Sequence, residues 1–170
     1  MSNHKKPTDL NLLDKEVAEK IARQVLSKME ENPGMTLKEA TGISDQVLEE
    51  IYHLAYTYYN QGKYEEGAAL FQFLSGSSPK TYKYILGLAA CFHQCQSYEQ
   101  AALGFYIALT IEPNNPVPAY YVTDCFLKQN LLEEALEFAE ATVMICEGKP
   151  EYAELSQRCS LIAESLKSKK

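Results

Sequence analysis

The sequence predicts an all-α protein built as a right-handed solenoid of stacked helix pairs. Three observations carry that expectation: the chain resembles itself at a period of 34 residues, its apolar residues recur at helical spacing, and prolines fall where the similar units meet. With 170 residues the chain is one domain long, enough to bury a core over roughly two thirds of its unfolded surface.

Residues 1–9, running from Met1 through Lys5-Lys6-Pro7 to Asp9, read as a disordered N-terminus. No apolar stretch follows the lysines, and nowhere do about 18 apolar residues run together, so the chain is expected to stay soluble in the cytoplasm without inserting into a membrane. Residues 10–43 form an N-terminal helical region. Leu10, Leu13, Val17, Ile21 and Met29 make an amphipathic stripe that ends at the turn cluster Asn32-Pro33-Gly34. Thr36-Leu37-Lys38-Glu39 has capping-box spacing, which predicts a short helical turn before Thr41-Gly42, and Ser44 is placed to cap the helix that follows.

The repeats come next, at 48–149. Asn60-Gln61-Gly62-Lys63-Tyr64-Glu65-Glu66-Gly67-Ala68 aligns without a gap on Gln94-Cys95-Gln96-Ser97-Tyr98-Glu99-Gln100-Ala101-Ala102 and on Lys128-Gln129-Asn130-Leu131-Leu132-Glu133-Glu134-Ala135-Leu136. Carried outward, the register gives columns of one size class: Ile51, Ile85 and Ala119; Leu54, Leu88 and Val122; Tyr58, Phe92 and Phe126; Phe71, Phe105 and Ala139. The small column Gly67, Ala101 and Ala135 falls where two helices must approach closely, and a larger side chain there would overpack by about 1–3 kcal/mol. Pro79 and Pro113 close the first two units, since proline cannot continue a helix and biases its predecessor away from helical dihedrals. The pattern resembles the tetratricopeptide repeat, a helix, a tight turn and an antiparallel helix, with units at 48–81, 82–115 and 116–149. The third departs from the consensus at Ala119, Ala139 and Glu147.

Residues 150–170 are expected to form a C-terminal capping helix and basic tail. Tyr152, Leu155, Cys159, Ile162 and Leu166 follow helical spacing, and a stack of helix pairs needs its open end covered.

Composition narrows the chemistry. Sixteen Lys and Arg against 23 Asp and Glu give a formal net charge of -7, which repels a phosphate backbone and argues against nucleic acid as a partner. Five cysteines, Cys91, Cys95, Cys125, Cys146 and Cys159, all fall in predicted helices and read as free thiols of a reducing compartment. Cys91 and Cys95 are spaced to share a face, but a closed zinc site takes four ligands and His93 points elsewhere, so no metal or other cofactor is expected. No nucleotide loop or nucleophile motif occurs, and an enzyme is not expected. Glu65-Glu66 and Glu133-Glu134 sit in first turns of helices, where the dipole favours them.

The first helix of each pair lines the concave face of such a stack, the extended surface on which solenoids bind. The core columns then turn positions 5, 9 and 12 of each unit to the groove: Tyr52, Tyr56 and Tyr59; Leu86, Ala90 and His93; Tyr120, Asp124 and Leu127. An aromatic stripe at helical spacing is ordinarily core. Here Ile51, Leu54, Ala55 and Tyr58 are expected to fill the buried side of that helix already, leaving the three tyrosines for binding. His93, with Asp124 as its groove neighbour, reads as a hydrogen-bonding residue rather than an acid or base.

The run Ser44-Asp45-Gln46-Val47-Leu48-Glu49-Glu50-Ile51-Tyr52-His53-Leu54-Ala55-Tyr56, continuing through Tyr59, Gly62, Lys63, Tyr64 and Glu65, resembles the first repeat of the class II type III secretion chaperones, the SycD/LcrH-like translocator chaperones. Leu86-Gly87-Leu88-Ala89-Ala90-Cys91 and Glu154-Leu155-Ser156-Gln157-Arg158 extend the likeness, which runs from about residue 12 to about 167. The resemblance implies a bacterial cytoplasmic chaperone that holds hydrophobic translocators by an extended P-x-L-x-x-P segment. It implies that Tyr52, Tyr56 and Tyr59 form the main pocket, that Leu86, His93 and Tyr120 complete the neighbouring pockets beside the groove residue Ala90, and that Leu13, Val17 and Ile21 mediate a homodimer.

The rival reading is a generic repeat adaptor that grips C-terminal carboxylates. Such a clamp needs Lys, Asn and Arg donors, and Tyr52 and Tyr56 stand where it would place Lys and Asn.

Overall fold

The computed structural model describes residues 20–168. Helix α1 covers residues 20–31 and ends in the turn at 32–34. It is followed by α2 (Leu37–Thr41), α3 (Asp45–Asn60), α4 (Tyr64–Ser77), α5 (Tyr82–Gln94), α6 (Tyr98–Ile111), α7 (Pro116–Lys128), α8 (Leu132–Cys146), a 3-10 turn at Pro150–Tyr152 and α9 (Ala153–Lys167). The described residues contain no strand. The expectations for residues 1–9, for Leu10, Leu13 and Val17, and for the last two lysines lie outside the described residues.

Local chemistry sets the helix starts. Glu39 closes a reciprocal capping box on α2: the Thr36 amide donates to Glu39 Oε2 at 2.7 Å while the Glu39 amide donates to Thr36 Oγ1 at 3.3 Å. Ser44 Oγ accepts from the Val47 amide at the head of α3. Asn115 caps α7 with Pro116 at its first position, where a missing N–H loses nothing.

Inside each pair the turn is one repeated device. Gly62, Gln96 and Asn130, one period apart, all adopt left-handed dihedrals, with φ of 76°, 61° and 59°. The next residue's amide then bonds back to the first helix, Lys63 to Tyr58, Ser97 to Phe92 and Leu131 to Phe126, each at 2.9 Å. Because that backbone bond ties the turn, α4, α6 and α8 begin without a side-chain cap.

From α3 to α9 each helix packs on its sequence neighbours, the quasi-linear packing of a three-repeat tetratricopeptide stack closed by α9. The small column is buried, and a Cβ on Gly67 would sit 3.2 Å from Cys91 Sγ and 3.4 Å from the Ala55 carbonyl. Phe71, Phe105, Leu48, Leu74 and Val122 fill the core between layers. At the far end, Cys159, Ala163 and Leu166 of α9 are buried, with Cys159 and Ala163 against Ala139 of α8.

Two expectations change. Leu54 is 45% exposed rather than buried. Its column mate Val122 lies beneath α6 of the preceding pair, but α3 begins the repeats, and among the described residues no earlier repeat pair packs over it. The buried face of α3 is carried instead by Leu48 and Ala55, with Ile51 and Tyr58 half-buried. Cys95 is not helical: it caps the C-terminus of α5 in the turn, while the other four cysteines lie in helices. All five thiols are free.

Candidate functional site

Tyr52, Tyr56 and Tyr59 are brought together on α3, and facing them across a recess of about 170 Å³ stand Leu86 and Ala90 of α5. The 3.6-residue turn puts the two sets on the facing sides of successive first helices. Phe71 of α4 forms the floor, and Lys83 and Gly87 complete the lining.

The tyrosines divide their surface between packing and solvent. Tyr56 is 52% exposed. Tyr52 is half-buried, stacked with Tyr56 at a centroid distance of 6.4 Å and edge-on to Phe71 at 6.1 Å. Tyr59 meets Tyr64 edge-on at 5.4 Å, and burial holds its hydroxyl above the ordinary phenol range, so it stays a neutral donor. A core role and a lining role therefore coexist in Tyr52 and Tyr59.

Gly87 explains how the wall is built. A Cβ there would run into the Phe71 ring, so glycine alone lets α5 pack this closely on α4, and no side chain at 87 projects into the recess. Lys83 sits at the rim with Nζ 4.3 Å from the Tyr52 centroid and 2.6 Å from Glu49 Oε2, and its hydrogen bond to Glu49 raises its pKa and keeps it charged.

The remaining predicted residues lie elsewhere. His93 Nε2 is 2.7 Å from Asp124 Oδ2, and its ring meets Tyr98, Phe105 and Tyr121 edge-on at 5.6, 6.3 and 5.6 Å. The pair is largely covered and does not line the tyrosine recess. Tyr120 accepts a hydrogen bond from Arg158 Nη1 at 3.0 Å and packs toward α9, again outside the recess. Ile21 is exposed on α1, beside a separate cleft that also includes Val25, Lys28 and Ala40.

Sequence reasoning missed Lys83, Phe71 and Gly87 as lining residues. A glycine in the interior of an otherwise helical pattern was the available signal for Gly87, since it costs about 1 kcal/mol against alanine and needs a packing reason. Phe71 read as core, which it also is, at 2% exposure.

Among the described residues no group of three or more His, Cys, Asp or Glu could hold a metal ion, and no helix is long and apolar enough to cross a membrane. Burial pushes the thiols of Cys91 and Cys125 up to about 12, so neither is a nucleophile at neutral pH.

Comparison with known proteins is consistent with this geometry. Residues 48–75 match the family model of the tetratricopeptide repeat. The chain is 31% identical over 137 residues to the low calcium response locus protein H of Yersinia pseudotuberculosis, covering 81% of this chain and 82% of that one. It is 27% identical over 150 residues to chaperone protein SicA of Salmonella dublin, 88% and 87% of the two chains. The type III secretion chaperone SycD of Yersinia enterocolitica, solved in complex with a peptide of the translocator YopD, matches with a TM-score of 0.70 at 30% identity, over 74% of this chain and 96% of SycD. SycD in an alternative dimer matches with a TM-score of 0.68.

Proposed function

The chain belongs to the class II translocator chaperones of type III secretion, and from that membership we propose that the recess between α3 and α5 is where it holds its client. It is a chaperone of hydrophobic translocators and not an enzyme. The observation that carries the site is the recess itself, with Tyr52, Tyr56 and Tyr59 facing Leu86 and Ala90 over the edge of Phe71.

The client is an extended segment near the N-terminus of a translocator, of the form P-x-L-x-x-P, with an aliphatic side chain in the recess and tyrosine hydroxyls at its rim. Full burial of such a side chain contributes about 1.5–3 kcal/mol, so two or three anchors with backbone hydrogen bonds reach about micromolar affinity. Prolines in the segment reduce the entropy lost on ordering it. Occupying the segment removes apolar surface that would aggregate in water and leaves the rest of the client unfolded enough to export. The same reading puts the protein in the bacterial cytoplasm, where its clients are synthesised. His93 and Tyr120 contribute further along the groove, and the N-terminal stripe including Leu13, Val17 and Ile21 mediates a homodimer.

The deciding experiment is titration of a labelled P-x-L-x-x-P peptide into wild type and into the Tyr52→Ala/Tyr56→Ala/Tyr59→Ala variant, with circular dichroism to establish that the variant is helical. Saturable binding that the variant loses supports the groove. Equal binding by both moves the site elsewhere on the surface.

A further inference from the structure

The two junctions between repeats are built from equivalent positions, yet they differ in shape. At the first, Gly87 packs its backbone directly against buried Phe71 and puts no side chain into the recess that it lines. One period later Phe105 takes the place of Phe71 and Tyr121 the place of Gly87. Tyr121 lies on Phe105 with centroids 4.8 Å apart and planes 14° from parallel, and His93 closes against both rings. The second recess is thus occupied by the protein's own side chain. Where Ala90 borders the first junction, the equivalent Asp124 is paired with His93, so the second junction offers a flat aromatic ledge with a polar edge.

We infer that Gly87 and Tyr121 set the sequence preference of the groove: one deep aliphatic anchor is accepted at the first junction, and a second deep anchor is refused at the next. This rests on the groove reading above. The client class is then an extended peptide with a single dominant aliphatic residue, flanked on the third-repeat side by residues that lie flat, such as proline, or that hydrogen-bond through their backbone. Size exclusion by Tyr121 fixes the register, because a shifted peptide would press its anchor against a filled site.

The test uses the full chain and the labelled P-x-L-x-x-P peptide, together with an anchor Leu→Ala peptide and a set carrying one extra Leu at each position toward the third repeat. Wild type should bind the Leu→Ala peptide about tenfold or more weakly. Gly87→Ala should lose a similar factor on the parent peptide and almost nothing further on the Leu→Ala peptide. Tyr121→Ala, which removes the plug and is not itself one of the residues lining the first recess, should prefer one of the extra-Leu peptides over the parent, a preference wild type lacks. Circular dichroism and urea midpoints report whether each variant is folded; the Tyr121→Ala arm stands even if Gly87→Ala does not fold. Unchanged preference in a folded Tyr121→Ala variant overturns the inference, as does parent-peptide binding by folded Gly87→Ala at wild-type strength. If the triple tyrosine variant loses binding while both of these hold, the groove stands and only the selectivity assignment falls. If wild type binds no peptide, both fall.

Discussion

Lys83 reaches back across the first repeat junction and places its Nζ over the ring of Tyr52, 4.3 Å from the centroid, while Glu49 holds the same ammonium at 2.6 Å. One side chain of α5 therefore braces two residues of α3 at the mouth of the recess. The ion pair is about 40% exposed on both sides, which keeps its stability contribution within about 1 kcal/mol. The contact with Tyr52 is an exposed cation–π interaction, of about 0.5–1 kcal/mol. Lys83→Met is expected to lower the urea midpoint by the equivalent of no more than about 1–2 kcal/mol and to weaken peptide binding by about two- to fivefold, an effect that shrinks in high salt. Fluorescence titration at two ionic strengths measures it, and identical affinities for variant and wild type would remove Lys83 from the binding surface.

Gln96 holds a left-handed conformation, with φ of 61°, at a turn position where the first repeat has Gly62 and the third has Asn130. A side chain there costs about 1–2 kcal/mol, while the extra freedom glycine gives the unfolded chain returns about 0.5–1 kcal/mol. The first term is the larger. Gln96→Gly is therefore expected to stabilise the protein by up to about 1 kcal/mol, read as a higher urea midpoint at unchanged slope. A lower midpoint would mean that Gln96 makes a contact that outweighs its strain.

Cys91 and Cys125 are raised on folding from 9.0 to about 12, through burial first in both cases. The folded protein thus binds these protons more tightly than the unfolded chain. Their contribution is fully present below about pH 9 and is lost as pH climbs toward 12. Tyr82, raised to about 12 mainly by burial, adds to the same slope above pH 10. Chemical denaturation between pH 8 and 11 should show falling stability, and Cys91→Ala/Cys125→Ala should show a shallower fall from a lower starting point because of the cavities it leaves. Parallel pH profiles for the two proteins would contradict this.

Ile21 and Leu26 expose 54% and 58% of their surface on α1, on a helix outside the repeat core. Placing a charge at Ile21 opposes burial of that face against a second copy. Ile21→Asp is expected to shift the protein toward monomer in size-exclusion chromatography with light scattering, with the helical content of the repeats retained. A wild type that is monomeric at every concentration, or a variant that dimerises equally, would separate α1 from self-association.

The sequence was most legible where a pattern repeats. Phe71 and Phe105, the Gly67, Ala101 and Ala135 column and the Ser44 cap are all local or periodic signals, because a helix converts spacing directly into a face. Tyr52, Tyr56 and Tyr59 could be placed together for the same reason. Leu54 could not be placed from its own column, since its burial depends on whether another helix pair lies above, which is a property of position in the stack. The lining by Lys83 and Phe71 was equally out of reach: Phe71 is a core residue that also borders the recess, and Lys83 reaches it from the next repeat.

The sequence by itself thus determined the helices, their pairing, the repeat count and the face that carries tyrosine, since period and side-chain size are written along the chain. Only the tertiary structure decided which junction is open. Gly87 and Tyr121 occupy one column and look like a tolerated variation, and it takes the approach of α4 to α5 and the stacking of Tyr121 on Phe105 to make one a cavity and the other a plug. Volume between helices is set by pairs of residues distant in sequence, and no single position records it.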